Sequence, residues 1–195
     1  MKPSTVTGGS DRHAELPALL KQAVVAHEAG RLDDAYPLYR EFIEATPGHP
    51  MALHMFGLLH SQRGDYPTAI ALMQESLRLF PAQPDVANDL GNAVKRSGNP
   101  EAALGWYRHA LELQPHYIDA QRNLGLCQLS LEQVEAAISS FERCLEIDAR
   151  DAVAWLCLGN ARRRQDDLEA AIRCCEKALE LRPDYAEAHH NLGLC

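Results

Sequence analysis

Residues 117–127 read YIDAQRNLGLC, and residues 185–195 read YAEAHHNLGLC. The glycine inside this run decides the fold, because Gly57, Gly91, Gly125, Gly159 and Gly193 succeed one another every 34 residues without a slip. A fixed period of that length marks stacked supersecondary units. Two more ladders keep the same step. One is Ala35, Ala69, Ala103, Ala137 and Ala171; the other is Pro47, Pro81, Pro115 and Pro183, with Ala149 where the fourth proline would fall. Five units follow, 16–49, 50–83, 84–117, 118–151 and 152–185, and a sixth opens at Ala186 and occupies 186–195. Residues 1–15 read as a flexible N-terminal segment.

Inside each unit the apolar positions recur at helical spacing, as in Val86, Leu90, Ala93 and Val94, then Ala103, Leu104, Tyr107, Ala110 and Leu111. Each unit is therefore expected to hold two helices. Turn residues separate them (Gly30-Arg31, Gly64-Asp65, Gly98-Asn99), and the unit-ending proline disfavours helix in the residue before it. Glu132 and Asp166 replace the turn glycine in the fourth and fifth units, so a positive φ there would carry strain of roughly 1 kcal/mol. Gly in the first helix and Ala in the second permit close approach. Tyr39, Met73, Tyr107, Phe141 and Cys175 occupy one recurrent large slot, and each hairpin buries a face against the next.

These residues resemble the tetratricopeptide repeat family, whose pattern runs W-x-x-L-G-x-x-Y, then A-x-x-x-F, then A and P. The fifth unit carries it as Trp155, Leu158, Gly159, Ala171, Ala178 and Pro183, with Arg162 and Cys175 in place of the two aromatics. The resemblance covers residues 16–195. It implies an all-α fold, a right-handed superhelical solenoid of antiparallel helix pairs, with a concave wall of first helices that receives a peptide or partner helix. The first unit departs most: Gln22 and Ala23 take the Leu-Gly slots, Phe42 replaces a small residue, and Pro37 falls inside the second helix, so it reads as a cap. The sixth unit resembles the opening of the fourth rather than a polar cap, so Leu192, Leu194 and Cys195 are expected to stand exposed, as in the N-terminal fragment of a longer protein.

Composition narrows the function. With 46% apolar and 24% charged residues the chain is ordinary globular material, and 27 acidic against 19 basic residues give a net charge of −8. That balance argues against a general affinity for nucleic acid or anionic membrane. Neither a secretory signal nor an apolar run long enough for a membrane span is present, which places the protein by default in the cytoplasm. Six cysteines form no C-x-x-C pair, and no two histidines share the i, i+4 spacing of a metal site; no metal, cofactor or catalytic constellation is expected.

By repeat position, the inward wall should carry His54, Asn88, Asn92, Lys95, Arg122, Asn123, Asn160, Arg163 and Asn191 as candidate peptide-binding residues. An amide side chain both donates and accepts, so it can bond a peptide backbone without reading side chains. Asn92 and Asn123, and again Asn160 and Asn191, would stand on neighbouring first helices. This resembles the two-asparagine core of chaperone-binding tetratricopeptide domains, but the basic clamp residues are replaced by Asn88, Leu156, Val153 and Cys157. Asn123 and Asn191 are also similar to the asparagine ladder in the N-terminal repeats of O-linked N-acetylglucosamine transferases, with Asp89 and Cys157 interrupting it. Lys95, Arg96, Arg122, Arg163 and Arg164 offer a basic strip. Three functions follow as expectations: a scaffold holding a peptide or protein in the groove; the substrate-recruiting arm of a larger glycosyl-, methyl- or sulfotransferase; or a module that self-associates through its C-terminal repeat face.

Overall fold

The computed structural model describes residues 10–195. Of the N-terminal segment expected to be flexible, 1–9 lie outside the described residues, and 10–15 open the first helix. The chain divides into two compact units after Pro81. The first holds α1 (Ser10–Glu28), α2 (Leu32–Ala45), α3 (Pro50–Gln62) and α4 (Tyr66–Leu79). The second holds α5 (Pro84–Arg96), α6 (Pro100–Leu113), α7 (Ile118–Ser130), α8 (Val134–Ile147), α9 (Ala152–Arg164), α10 (Leu168–Leu181) and α11 (Ala186–Gly193). The described residues contain no strand, and the fold is all-α.

Each hairpin is made by a three-residue turn of one design. The amide three residues past the first helix reaches back to a carbonyl five residues earlier: Arg31 to Ala26, Asp65 to His60, Asn99 to Val94, Gln133 to Gln128 and Asp167 to Arg162, all at 2.9–3.2 Å. That closure needs a left-handed residue at the preceding position. Gly30, Gly64 and Gly98 supply it without strain, and Glu132 (φ 57°) and Asp166 (φ 65°) adopt it despite their Cβ. In three of the five hairpins the second helix then starts on a side-chain cap: Asp65 accepts from the Thr68 amide, Asn99 from Ala102 and Asp167 from Ala170. Pro50, Pro84 and Pro100 begin their helices, where no N–H partner is needed. Pro37 lies inside α2, which still runs unbroken from Leu32 to Ala45.

The hairpin interior explains the glycine ladder. At Gly91 an added Cβ would sit 2.7 Å from the ring of Tyr107, and at Gly125 it would sit 2.6 Å from that of Phe141. Glycine there makes room for a second-helix ring as well as for the backbone; Gly57 and Gly159 face the carbonyls of Ala69 and Ala171 at 3.2 and 3.3 Å. All five ladder alanines are fully buried. In the first unit the core gathers Leu20, Ala23, Tyr39, Phe42, Phe56 and Leu59; in the second, clusters form around Phe141, Leu158 and Cys174, and around Leu156, Cys175 and Ala188. Cysteine serves as a small core residue, since all six are free and only Cys195 is not buried.

Candidate functional site

In the second unit the first helices lie side by side, with α7 touching α5 and α9, and α9 touching α11. This is a consequence of stacking hairpins that repeat one face. It brings eight of the nine candidate residues onto one series of helices; His54, buried on α3, belongs to the first unit.

Several candidates are spent on internal bonds. Asn88, only 5% exposed, accepts from the Asn123 Nδ2 at 2.9 Å, which ties α5 to α7. Asn123 is thus bonded to Asn88 rather than to Asn92. The Asn92 Oδ1 instead accepts from the Tyr107 hydroxyl at 2.9 Å, fastening α5 to α6. Burial raises the pKa of that phenol far above its ordinary value, so it stays a donor throughout the physiological range. Arg122 is held between Asp119 and Asp151, donating to the Asp151 Oδ2 at 2.9 Å. The other Asp151 oxygen caps α9 through the amides of Val153 and Ala154. Arg122 is therefore a brace from α7 to the start of α9.

The basic strip is correspondingly smaller than the sequence suggests. Arg164 bonds the Leu129 carbonyl and pairs with Glu132, each at 3.0 Å. Lys95 and Arg163 have no carboxylate within ion-pair distance among the described residues, and the buried Nε of Arg163 has no hydrogen-bond partner there. Each stands one helical turn beyond an asparagine, Asn92 before Lys95 on α5 and Asn160 before Arg163 on α9, so amide and cation share a face. On α7 between them, the same repeat positions hold Leu126, half-buried, and Leu129, which turns into the hairpin core. The wall thus alternates an amide–cation pair, a single half-buried leucine and a second amide–cation pair. Asn191, half-buried on α11, follows at the end of the series.

Sequence reasoning missed Tyr107 and Asp151, the two partners that immobilise Asn92 and Arg122. It also missed a largely apolar groove of about 530 Å³ in the first unit, lined by Leu16, Pro17, Leu20, Lys21, Val24, Val25, Phe42, His49 and Met51. Leu16, Pro17, Leu20 and Val24 follow helical spacing on α1, which was the available signal. No group of three or more His, Cys, Asp or Glu suited to a metal occurs among the described residues. No helix among them is long and apolar enough to cross a membrane.

Three family profiles, each described as a tetratricopeptide repeat, match residues 51–80, 83–150 and 152–185, about two thirds of the chain together. No curated protein matches the sequence significantly. Among solved structures, YrrB, described as a TPR protein with an unusual peptide-binding site, is 23% identical, with a TM-score of 0.72 over 88% of this chain and 89% of that one. MamA from Desulfovibrio magneticus RS-1 is 20% identical, with a TM-score of 0.79 over 88% of this chain and 97% of that one. TTC0263, a TPR protein of Thermus thermophilus, is also 20% identical, with a TM-score of 0.70 over 92% and 97%. Likeness at these identities is one of fold. The 34-residue hairpins, their glycine–ring contacts and the repeat profiles along most of the sequence agree, and the chain belongs to the tetratricopeptide repeat family.

Proposed function

We propose that the chain is a protein-interaction scaffold whose second unit holds a polypeptide segment against its first helices. The observation that carries this reading is the repeated amide–cation pair, Asn92 with Lys95 and Asn160 with Arg163, on either side of the half-buried Leu126. Arg163 is partly exposed and has no carboxylate partner among the described residues, so its guanidinium suits an occupant bringing an acceptor such as a backbone carbonyl or carboxylate. Asn160 would bond the segment's backbone, Lys95 and Arg163 its acceptors, and Leu126 an apolar side chain. Asn88, Arg122, Asn123 and Asn191 complete the proposed set, with Asn88, Arg122 and Asn123 acting by holding the helices that carry the others; His54, buried on α3 of the first unit, takes no part in this wall. YrrB's peptide-binding site is a precedent within the fold.

The recruiting-arm reading leans on Asn123 and Asn191. Asn123 already gives one amide hydrogen to Asn88, which leaves it fewer valences for a ligand. Six free cysteines favour a reducing compartment, and we place the scaffold in the cytoplasm. Peptides selected from a random display library on the intact chain provide the test. The double variant Asn160→Ala, Arg163→Ala should bind them at least about tenfold more weakly with unchanged helicity, a loss of about 1.4 kcal/mol. Equal affinity in the double variant rules out this wall.

A further inference from the structure

Each first helix of the second unit is separated from the next by one second helix running the other way, so α5, α7 and α9 run parallel and their starts share one edge of the wall. Helix macrodipoles favour acids at the starts and bases at the ends, and stacking turns that preference into two opposed edges. The starting edge carries Asp85, exposed and in no ion pair among the described residues, with the half-buried Asp89 and Tyr117 beside it. Burial and then the charges of Asp89, Asp119 and Asp85 raise the Tyr117 phenol above its ordinary value, which sets all three carboxylates near that ring. Asp119 is also paired with Arg122. The finishing edge carries Lys95 on α5 and Arg163 on α9, both half-buried and without a carboxylate partner among the described residues. Between the edges lie Asn92, Leu126 and Asn160.

We infer, on the basis of the first-helix wall proposed above, that its occupant is an extended segment of a partner polypeptide whose side chains alternate in charge, acids toward Lys95 and Arg163 and a Lys or Arg toward Asp85 and Tyr117. The Asn160 amide and the Asn92 Nδ2 can bond a backbone only where its own N–H and C=O groups are free, as in a lone strand; a helix has already used them. A strand that turns one backbone edge to this floor points successive side chains alternately to the two edges of the wall. Lys95 and Arg163 stand two helix steps apart, about 16–20 Å for axes 8–10 Å apart, which an extended chain covers in about five to six residues. Only the even number returns to the same edge. The two acids are therefore six residues apart, and the basic residue stands at an odd distance from each. Tyr117 offers that cation a ring face beside the carboxylates.

Two end-blocked fluorescent peptides of one composition test the pattern. Glu-Lys-Ser-Val-Ser-Lys-Glu keeps the alternation in either chain direction, whereas Glu-Ser-Lys-Val-Lys-Ser-Glu turns its lysines to the side of its acids. By fluorescence anisotropy the first should saturate the intact chain and bind at least about tenfold more tightly than the second. Asp85→Asn should weaken the first peptide about threefold with unchanged helicity, and should leave the second unaffected. Absence of saturation by the first peptide, equal affinity of the two, or indifference of the first to Asp85→Asn overturns the alternating pattern. The wall itself is read separately, because both peptides keep the two acids for Lys95 and Arg163. If they and library-selected peptides weaken with Asn160→Ala, Arg163→Ala while binding equally well to each other's level, the pattern falls and the wall stands; if none of them weakens, the wall fails and the inference with it.

Discussion

Glu132 and Asp166 sit in a backbone region where glycine is at ease and a Cβ is not, each closing a hairpin turn as Gly98 does for α5 and α6. Asp166→Gly should therefore stabilise the fold by about 1 kcal/mol in urea unfolding. Glu132→Gly should gain less, because Glu132 also pairs with Arg164. The opposite sign is expected at Gly91, where Gly91→Ala drives a methyl to within 2.7 Å of a fully buried Tyr107 ring; a loss of about 1–3 kcal/mol is expected, against no loss for Gly193→Ala. The cysteines follow from the same burial. It pushes the Cys144 thiol up to about 12 and those of Cys157 and Cys174 up to about 11, so in the native chain a thiol reagent at neutral pH should label Cys195 first and the others only on unfolding. Since the folded state keeps these thiols protonated, their contribution is fully present below the unfolded value of 9.0 and is lost as pH rises through 11 to 12. Alkaline denaturation followed by circular dichroism checks the direction.

The helices from α2 to α11 are 8 to 14 residues long, too short to be stable in isolation, so the hairpin is the element that folds. Its plan was legible in the sequence. The glycine and alanine ladders locate the contact, and the replacement of glycine by Glu132 and Asp166 already indicates where positive φ would be strained. Side-chain pairing was not legible. Asn88 with Asn123, and Arg122 with Asp151, join residues 35 and 29 apart, and which rotamers meet depends on how one helix is rotated against the next. That is why Asn123 could be read as a groove residue when part of its amide is already used. Asp151 concentrates two tasks, capping α9 and anchoring Arg122. Asp151→Ala should cost about 1–2 kcal/mol from the cap alone and more from the stranded guanidinium, whereas Asp119→Ala, at an exposed site, should cost less. Thermal unfolding of the two variants side by side checks this order.

For the molecule as a whole, the repeat fold supplies rigid walls and leaves the choice of partner to side chains, which is why fold alone names no ligand. The first unit presents an apolar groove under Val25 and Met51; the second presents amides and cations about the half-buried Leu126. The partner's charge has a measurable consequence. If Lys95 and Arg163 meet acceptors of a peptide, binding should weaken as salt rises from about 0.05 to 0.5 M, with the steeper dependence for peptides bearing carboxylates. The most direct measurement is chemical-shift mapping of the isotopically labelled chain titrated with a selected peptide. The predicted result is a contiguous set of perturbed resonances that includes Asn92, Lys95, Leu126, Asn160 and Arg163. Perturbations confined to α6, α8 and α10, or to the first unit, would contradict the proposed wall.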